Sequence, residues 1–355
     1  MGIGGQQMLR QGLEAWFPME KLAVRGYAEV LRRLPELLSI RKRLLQRLLA
    51  KPPRLFIGID APDFNLGVET KLQQHGIRTV HYVSPSIWAW RGERIREIKK
   101  AVSHMIALFP MEPPIYEAAN IPVSYVGHPF ADQIAFDNPR VPAAEAMGIL
   151  PDKPVFALLP GSREAEVSYM AETFIHTAKL INQQLPTAQF LAPLSTRETN
   201  HIFNAALRRH LGFHAGEFPL RVVFGHPRET ITAASFVLAA SGTVTLESML
   251  IKRPMVITYK MAPASYRIMR NKGYLPYVGL PNILAEDFIA PEILQDDATP
   301  ENLSQALLNL YRDPSVAARQ CEVFGTLHHQ LRQGAADKAA AVVRSFLVPG
   351  DDSTQ

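Results

Sequence analysis

The chain repeats one local pattern: a run of three to five apolar, often β-branched residues, then a loop, then a helical stretch. Because the runs are continuous rather than alternating, they are typical of strands buried on both faces, as in a parallel sheet. Strands that alternate with helices predict an α/β fold built from βαβ units. The predicted strands are Leu55–Ile59, Thr79–Val83, Met105–Phe109, Ser124–Val126, Val155–Leu159, Phe190–Ala192, Arg221–Phe224, Phe236–Ala239 and Met255–Thr258.

This series runs twice. A first set of strands ends near Gly127–Pro129, a polar stretch containing prolines follows over Asp137–Pro154, and a second set begins at Val155. A length of 355 residues suits two domains. We therefore predict two Rossmann-like domains, residues 1–140 and 141–334, and a last helix over 335–347 that packs back on the first domain.

Composition excludes several classes of protein. A single cysteine, Cys321, allows neither a disulfide framework nor a cysteine zinc cluster within the chain. The eleven histidines show no metal-ligand spacing, so we predict no metal site. A net charge of +5 is too small to indicate nucleic acid as a partner, although it favours phosphates or an anionic surface. No apolar run reaches the roughly 18 residues that span a bilayer.

One segment, Glu20–Arg54, is strongly basic. It holds ten Lys and Arg against three acids, with leucines at helical spacing between them. A basic amphipathic helix suits an anionic membrane surface. The alternative is that the leucines face the domain core and the basic residues form a solvated face.

The loop Leu159–Arg163 follows a predicted strand and opens a helix. Gly161 permits close backbone approach, a helix N-terminus offers N–H groups to a phosphate, and Arg163 adds a fork of donors. The alternative is a plain turn with a surface arginine.

A second loop of this kind, Ala240–Glu247, lies in the same domain. The Glu247 carboxylate is able to accept hydrogen bonds from both ribose hydroxyls of a nucleotide. The alternative is N-capping by Ser241 or Thr243 with an ordinary helical glutamate. Two such loops in one doubly wound domain favour a nucleotide, since ligands bind at the carboxyl ends of parallel strands.

In the first domain, Asp60 ends a strand and Asp63 follows in the same loop. A carboxylate in this position is suited to take a proton from a hydroxyl nucleophile. The alternative is that Asp60 caps the helix that starts near Pro62.

The segment His81–Arg91 contains two of the three tryptophans. It can line an apolar ligand pocket or belong to the core. We place Ser84, Trp88, Trp90 and Arg91 on the side of an acceptor or lipid.

Five strings together resemble lipid-A-disaccharide synthase over nearly the whole chain, from Gly2 to about Phe346. They are longer than generic loop motifs. The strings are Gly58–Asn65 (GIDAPDFN), Tyr82–Pro85 (YVSP) with Trp88–Trp90 (WAW), Leu158–Arg163 (LLPGSR) with Glu166 and Val167, Ser241–Thr243 (SGT) with Leu246 and Glu247, and Leu280–Asn282 (LPN) with Leu284 and Ala285.

The resemblance implies a GT-B glycosyltransferase fold, with two Rossmann-like domains that face a cleft. It implies transfer of 2,3-diacylglucosamine from its UDP derivative to 2,3-diacylglucosamine 1-phosphate, which gives a β-1,6 disaccharide 1-phosphate and UDP in lipid A synthesis. The enzyme would act without a cofactor, peripherally on the cytoplasmic face of the Gram-negative inner membrane. Asp60 matches the presumed catalytic aspartate. The positions implied on the donor side are Gly161, Ser162, Arg163, Ser241, Gly242, Thr243, Glu247, Tyr259, Asn282 and Gln330.

The sequence departs from the family pattern at its start. Met1 falls at about the second strand of the family, so roughly the first 40 residues, with a central strand and a Gly-rich loop, are expected to be absent. Two alternative functions stay open. One is another GT-B enzyme or a sugar-nucleotide epimerase. The other, which the missing segment favours, is a truncated relative that binds lipid or nucleotide without catalysis.

Overall fold

The computed structural model describes residues 1–22, 27–212, 216–261 and 273–347. Residues 23–26 of the basic segment Glu20–Arg54 lie outside them. Within the described residues, no helix is both long enough and apolar enough to cross a bilayer.

The first sheet has four parallel strands in the order β1-β2-β3-β4. Val80 lies opposite Ile57 and His104, and Met105 lies opposite Val123. β1 is an edge strand of this sheet, and Ile57 and Ile59 are each 41% exposed. The strands are β1 (Phe56–Ile59), β2 (Thr79–Tyr82), β3 (His104–Ala107) and β4 (Val123–Tyr125).

Short helices accompany this sheet. Leu66, Ile98, Met105 and Tyr116 form a buried cluster on it. The helices are α1 (Gln6–Arg10), α2 (Tyr27–Ala50), α3 (Pro62–Gln74), α4 (Ile95–Ala101) and α5 (Pro113–Ala118), with 3-10 turns at Met19–Lys21 and Gly92–Arg94.

The second sheet has six parallel strands in the order β10-β9-β8-β5-β6-β7. The strand order reverses at β5, which pairs with β6 on one side and with β8 on the other. In open α/β sheets, ligands bind at the carboxyl ends of the strands at such a switch point. The strands are β5 (Val155–Leu159), β6 (Gln189–Leu194), β7 (Leu220–Phe224), β8 (Phe236–Ala240), β9 (Met255–Tyr259) and β10 (Glu292–Leu294).

The second sheet carries the larger core. Phe156, Phe174, Phe190 and Phe203 are fully buried in it. The accompanying helices are α6 (Pro129–Gln133), α7 (Arg140–Ala146), α8 (Glu164–Gln184), α9 (Arg197–Leu211), α10 (Pro227–Ala233), α11 (Thr243–Leu250), α12 (Leu280–Ala285), α13 (Pro300–Arg312) and α14 (Pro314–Leu331), with a 3-10 turn at Gln295–Asp297.

The chain divides into two compact units. The first comprises Met1–Val126 with the C-terminal segment from Gly334, and the second is Gly127–Gln333. The last helix, α15 (Ala335–Leu347), packs against the first sheet through Ala335, Val342 and Phe346.

The boundary between the two units lies at Val126/Gly127, before the predicted boundary at 140/141. Residues 127–140 are held to the second unit by long-range hydrogen bonds. Lys252 Nζ donates to the Phe136 carbonyl at 2.6 Å, and Arg253 donates to the Asn138 carbonyl at 2.6 Å. These contacts are far apart in sequence, so local composition does not reveal them.

The predicted α/β class with two Rossmann-like domains is confirmed by the two parallel sheets. All nine predicted strands are present, with ends shifted by at most two residues. A tenth strand, β10, was not predicted. It is three residues long and begins with Glu292, so it lacks the continuous apolar pattern of the others.

Candidate functional site

Two loops meet at the switch point of the second sheet. Leu159, the last residue of β5, lies opposite Ala239 of β8. Because the strands are parallel, the loops that follow them leave the same edge of the sheet. The structure therefore brings Gly161–Arg163 and Ser241–Thr243 side by side.

The backbone of Gly161 has a conformation that only glycine adopts easily. Its φ is +118°, and a Cβ placed there would come within 2.6 Å of Glu166 Cβ and 2.7 Å of Glu166 Oε2. Both the conformation and the space require glycine. The loop is therefore shaped so that the Glu166 side chain folds back over it.

Glu166 binds the amides of this loop. Its Oε2 accepts hydrogen bonds from the N–H groups of Ser162 at 3.1 Å and Arg163 at 3.2 Å, and its Oε1 accepts one from the Arg163 guanidinium at 3.1 Å. The expectation that these amides are free for a phosphate is thus wrong for this state. The contacts nevertheless show that the loop holds an anionic oxygen, and the Arg163 side chain is 63% exposed.

The loop after β8 does not use its hydroxyls as helix caps. Gly242, with φ +147°, is the N-cap of α11, and no side chain caps this helix. The alternative of capping by Ser241 or Thr243 is therefore wrong. Instead, the Ser241 hydroxyl donates to the Val278 carbonyl at 3.3 Å.

Glu247 forms an ion pair that the sequence analysis missed. Its Oε1 accepts a hydrogen bond from Arg228 Nε at 2.7 Å, and the Glu247 side chain is only 14% exposed. The Arg228 guanidinium also lies 4.5 Å from the centre of the Phe130 ring. Arg228 lies in α10, 19 residues from Glu247, and no local spacing connects the two.

Tyr259 ends β9, the neighbour of β8, and lies close to the Gly161 loop. Burial raises the pKa of its hydroxyl, the charge of Glu166 raises this pKa further, and the charge of Arg163 lowers it. Tyr259, Glu166 and Arg163 therefore belong to one electrostatic environment at the strand ends.

Asn282 is placed differently from its expected role of lining the donor site. It is fully buried, and its Nδ2 donates to the Ala290 carbonyl and to Glu292 Oε1, both at 2.8 Å. Its Oδ1 accepts from the N–H groups of Ile289 and Ala290. The side chain therefore holds the turn between α12 and β10 and does not face a ligand.

Glu292 extends this support toward the loop after β8. It accepts hydrogen bonds from the N–H groups of Val278 and Gly279, and the Val278 carbonyl accepts from Ser241. Gln330 is exposed near the end of α14, where its carbonyl accepts a hydrogen bond from Gln333.

In the first unit, Asp60 follows β1 in a strained turn. Asp60 and Ala61 have φ values of 50° and 43°. Left-handed conformations cost about 1–2 kcal/mol per residue outside glycine, and such strain gathers at functional sites. The turn is fastened by the Asp60 N–H, which donates to the Tyr82 carbonyl, and by Asn65, which donates to the Asp60 carbonyl at 2.8 Å.

The geometry argues against the capping interpretation of Asp60. The N-cap of α3 is Ala61, and no side chain caps the helix. Among the residues that the structure describes, none hydrogen-bonds to the exposed Asp60 carboxylate or pairs with it. Asp63, in contrast, pairs with Arg94 at 3.0 Å. Both carboxylates are exposed, and Asp60 differs from Asp63 in having no described ion-pair partner.

The buried Ser84 and the half-buried Trp88 each have a polar partner inside the protein. The Ser84 hydroxyl is within 2.6 Å of the Tyr116 hydroxyl, and Trp88 Nε1 donates to Glu112 Oε1 at 3.3 Å. Trp88 also packs edge-on against Phe109. The buried Ser84 hydroxyl does not face a ligand, whereas the predicted place of Trp88 on the acceptor side stays a prediction.

In the same segment, Trp90 is half-buried like Trp88, and Arg91 is more accessible. The Arg91 guanidinium lies 4.2 Å from the centre of the Trp90 ring, and Arg91 is exposed. Their predicted place on the acceptor side stays a prediction.

A basic groove of about 810 Å³ lies between α2, α3 and α4 in the first unit. Six cationic side chains and two acidic ones, Glu93 and Glu97, line it beside Leu38 and Leu45. The cationic residues are Arg41, Lys42, Lys71, Arg94, Arg96 and Lys100.

The core interpretation of the basic segment is confirmed for part of α2, and its contact with a membrane stays a prediction. Leu44 and Leu48 are buried against α3, whereas Leu34 and Leu38 are 40% and 44% exposed.

The chain is similar to known proteins over nearly its whole length. The model of the lipid-A-disaccharide synthetase family matches residues 1–346. The lipid-A-disaccharide synthase of Dechloromonas aromatica is 54% identical over 343 residues, 96% of this chain and 89% of that protein. The synthase of Azoarcus sp. is 51% identical over 346 residues, which cover 98% and 88% of the two chains.

Solved structures with low identity share the fold. UDP-GlcNAc 2-epimerase from Neisseria meningitidis, solved with UDP-GlcNAc bound, has a TM-score of 0.63 at 12% identity and covers 97% of this chain and 90% of its own. Sucrose-phosphate synthase from Thermosynechococcus elongatus has a TM-score of 0.55 at 15% identity, covering 94% and 82%. With the two parallel sheets, these likenesses confirm the GT-B fold class. The family match over residues 1–346 and the identities above 50% show that the chain belongs to the lipid-A-disaccharide synthetase family.

Proposed function

We propose that this chain transfers 2,3-diacylglucosamine from its UDP derivative to the 6-hydroxyl of 2,3-diacylglucosamine 1-phosphate. The products are a β-1,6-linked disaccharide 1-phosphate and UDP. The observation that carries the proposal is the family match over residues 1–346, on a chain whose switch-point loop binds an anionic oxygen.

The donor half of the reaction is assigned to the second unit. Arg163 and the amides of Ser162 and Arg163 would hold the diphosphate of UDP, since they already hold the Glu166 carboxylate. Glu166 must leave these amides when the diphosphate arrives, because two anions do not share them. Glu247, fixed by Arg228, would accept hydrogen bonds from the ribose.

The acceptor half is assigned to Asp60 in the first unit. As the 6-oxygen bonds to the anomeric carbon, its proton passes to the Asp60 carboxylate. The bond from the anomeric carbon to the UDP oxygen breaks, and its electron pair leaves on the diphosphate. Attack opposite the leaving group converts an α-linked donor into a β-linked product.

Product analysis tests the proposal. The chain is incubated with UDP-2,3-diacylglucosamine and 2,3-diacylglucosamine 1-phosphate, and the products are identified by mass spectrometry. We expect the disaccharide 1-phosphate and one equivalent of UDP, with a β-linkage shown by NMR. Hydrolysis or epimerisation of the donor without a disaccharide would contradict the proposed reaction.

We further propose that the first unit binds anionic membrane, where its acylated substrates reside. The basic groove and the exposed Leu34 and Leu38 of α2 support this, since cations attract anionic headgroups and leucines enter the interface. Each basic residue near such a surface contributes about 1 kcal/mol, screened by salt.

Vesicle co-sedimentation separates this proposal from simple solvation of the basic face. Binding to anionic vesicles should exceed binding to neutral ones and fall as salt rises. The variant R41E/K42E should bind anionic vesicles weakly, whereas R208E/R319E, with the same charge change on exposed residues of the second unit, should bind like the unaltered chain. Equal loss in both variants would indicate a net-charge effect without a specific surface.

A further inference from the structure

Three metal-ligating side chains converge in the second unit at a place that the proposed reaction does not use. Glu172 and His176 lie one turn apart on α8, and His210 lies near the end of α9. Their candidate ligand atoms all lie within 4.8 Å of one another. Glu172 is nine residues beyond Arg163, which corresponds to about 13 Å along the helix.

The distances suit a small divalent ion. His176 Nε2 lies 3.2 Å from His210 Nδ1 and 4.0 Å from Glu172 Oε1. The other ring nitrogen of His210, Nε2, lies 3.8 Å from Glu172 Oε2. Zinc binds nitrogen at about 2.0–2.1 Å, so two ligands of a tetrahedral ion are about 3.3 Å apart. His176 Nε2 and His210 Nδ1 share a hydrogen bond at this spacing, so an ion on the open nitrogen, His210 Nε2, requires the His176 ring to turn away from that bond. The Glu172 side chain is 65% exposed and able to close the remaining distance by rotation.

The surroundings leave ring nitrogens open for a ligand. His210 Nε2 is buried and has no hydrogen-bond partner, a costly condition that a metal ion would relieve. Glu172 and Glu301 supply negative charge against Lys179.

We infer that Glu172, His176 and His210 form a binding site for a divalent transition-metal ion of the zinc, nickel or copper class. Imidazole ligands select such ions over magnesium and calcium, which prefer oxygen. The ion would join α8 to α9 and leave a fourth position for water. Its role is to cross-link two helices of the second unit, and it goes beyond the proposed glycosyl transfer.

Calorimetric titration of the EDTA-treated full chain tests the site with three probes: zinc chloride, nickel chloride and magnesium chloride. We expect one saturable zinc site, binding of nickel, and no binding of magnesium. H176Q and H210Q should each weaken zinc binding by more than about 100-fold, since even loss of an outer-shell partner costs 10–100-fold. H201Q, at an exposed histidine on α9, is the matched control and should bind zinc unchanged.

Thermal unfolding gives an independent readout. Zinc should raise the melting temperature of the unaltered chain and of H201Q, and leave that of H176Q/H210Q unchanged, because only the folded helix pair presents all ligands. Far-UV circular dichroism and UDP affinity verify that the double variant is folded. Equal zinc uptake by the double variant and the unaltered chain would overturn the assignment.

Discussion

Arg228 Nε lies 2.7 Å from Glu247 Oε1, so the carboxylate assigned to the ribose is held by a residue of a different helix. The Glu247 side chain is 14% exposed and that of Arg228 is 36% exposed. The pair is thus partly shielded from water. A charged hydrogen bond is stronger in such a shielded place than at the open surface. Arg228 fixes one carboxylate oxygen and thereby orients the other.

Replacing Glu247 by Gln should weaken UDP binding by about 10–100-fold, because a hydrogen bond to a charged group is worth about 1.5–3 kcal/mol. Isothermal titration calorimetry with UDP measures the change. E229Q is the matched control, since Glu229 lies on α10 beside Arg228 with its side chain 58% exposed. Unchanged affinity in E247Q would remove Glu247 from the nucleotide site.

Arg163→Ala should also weaken UDP binding by about one to two orders of magnitude, through loss of a charged contact to the diphosphate. The same titration with uridine, which has no phosphate, should show no difference from the unaltered chain. R197A, at an exposed arginine that begins α9, serves as control. An equal loss for uridine and UDP would mean that Arg163 does not contact phosphate.

Asp60→Asn should lower turnover by about two to four orders of magnitude and leave UDP affinity and melting temperature near normal. The amide keeps the shape of the side chain and removes its basicity. D63N is the matched control, because Asp63 is in the same loop and pairs with Arg94. A larger loss of turnover in D63N than in D60N would transfer the role of base to Asp63.

Glu112 makes stability depend on pH. Burial raises its pKa from 4.5 to about 7, so the folded state holds the proton more tightly than the unfolded state. The stabilising effect of this proton is full below pH 4.5 and is lost as pH rises through 7.

We expect the melting temperature of the unaltered chain to fall more steeply from pH 5 to pH 8 than that of E112Q, which has no titratable group there. The difference corresponds to about 3 kcal/mol at most. Differential scanning calorimetry at the two pH values measures it. Parallel pH profiles for both proteins would show that Glu112 ionises normally.

Gly58→Ala should destabilise the first unit by about 1–3 kcal/mol. A Cβ at Gly58 would lie 2.0 Å from Glu69 Oε1, and Glu69 is fully buried in a 2.8 Å hydrogen bond with His81. The buried pair has no room to withdraw. G216A, where a Cβ meets open space, should be nearly neutral in chemical denaturation. Equal stability of the two variants would contradict this packing.

The strands were predictable because the property that identifies them is local. A strand such as Val155–Leu159, buried at every position, must be apolar at every position. Glu292 shows the limit of this argument. Its carboxylate accepts hydrogen bonds from the N–H groups of Val278 and Gly279. This strand therefore begins with a charged residue and lacks the apolar run that identifies the other strands.

The candidate site was predictable only in part, for the same reason. Gly161 and Gly242 are visible because a loop that approaches a ligand needs glycine. Arg228 was missed because its partner is 19 residues away, and His176 and His210 were missed because 34 residues separate them. Asn282 and Ser84 resemble ligand-binding residues in sequence, yet their polar atoms are used inside the protein.

The return of α15 to the first sheet bears on how the protein emerges from the ribosome. Domains generally fold in the order of their synthesis. Here the first sheet lacks Ala335, Val342 and Phe346 until α15 is translated, whereas Gly127–Gln333 is already made. The core of the unit whose strands are translated first is therefore closed last, and until α15 is made, Val80 and Ile106 lack the cover that this helix provides.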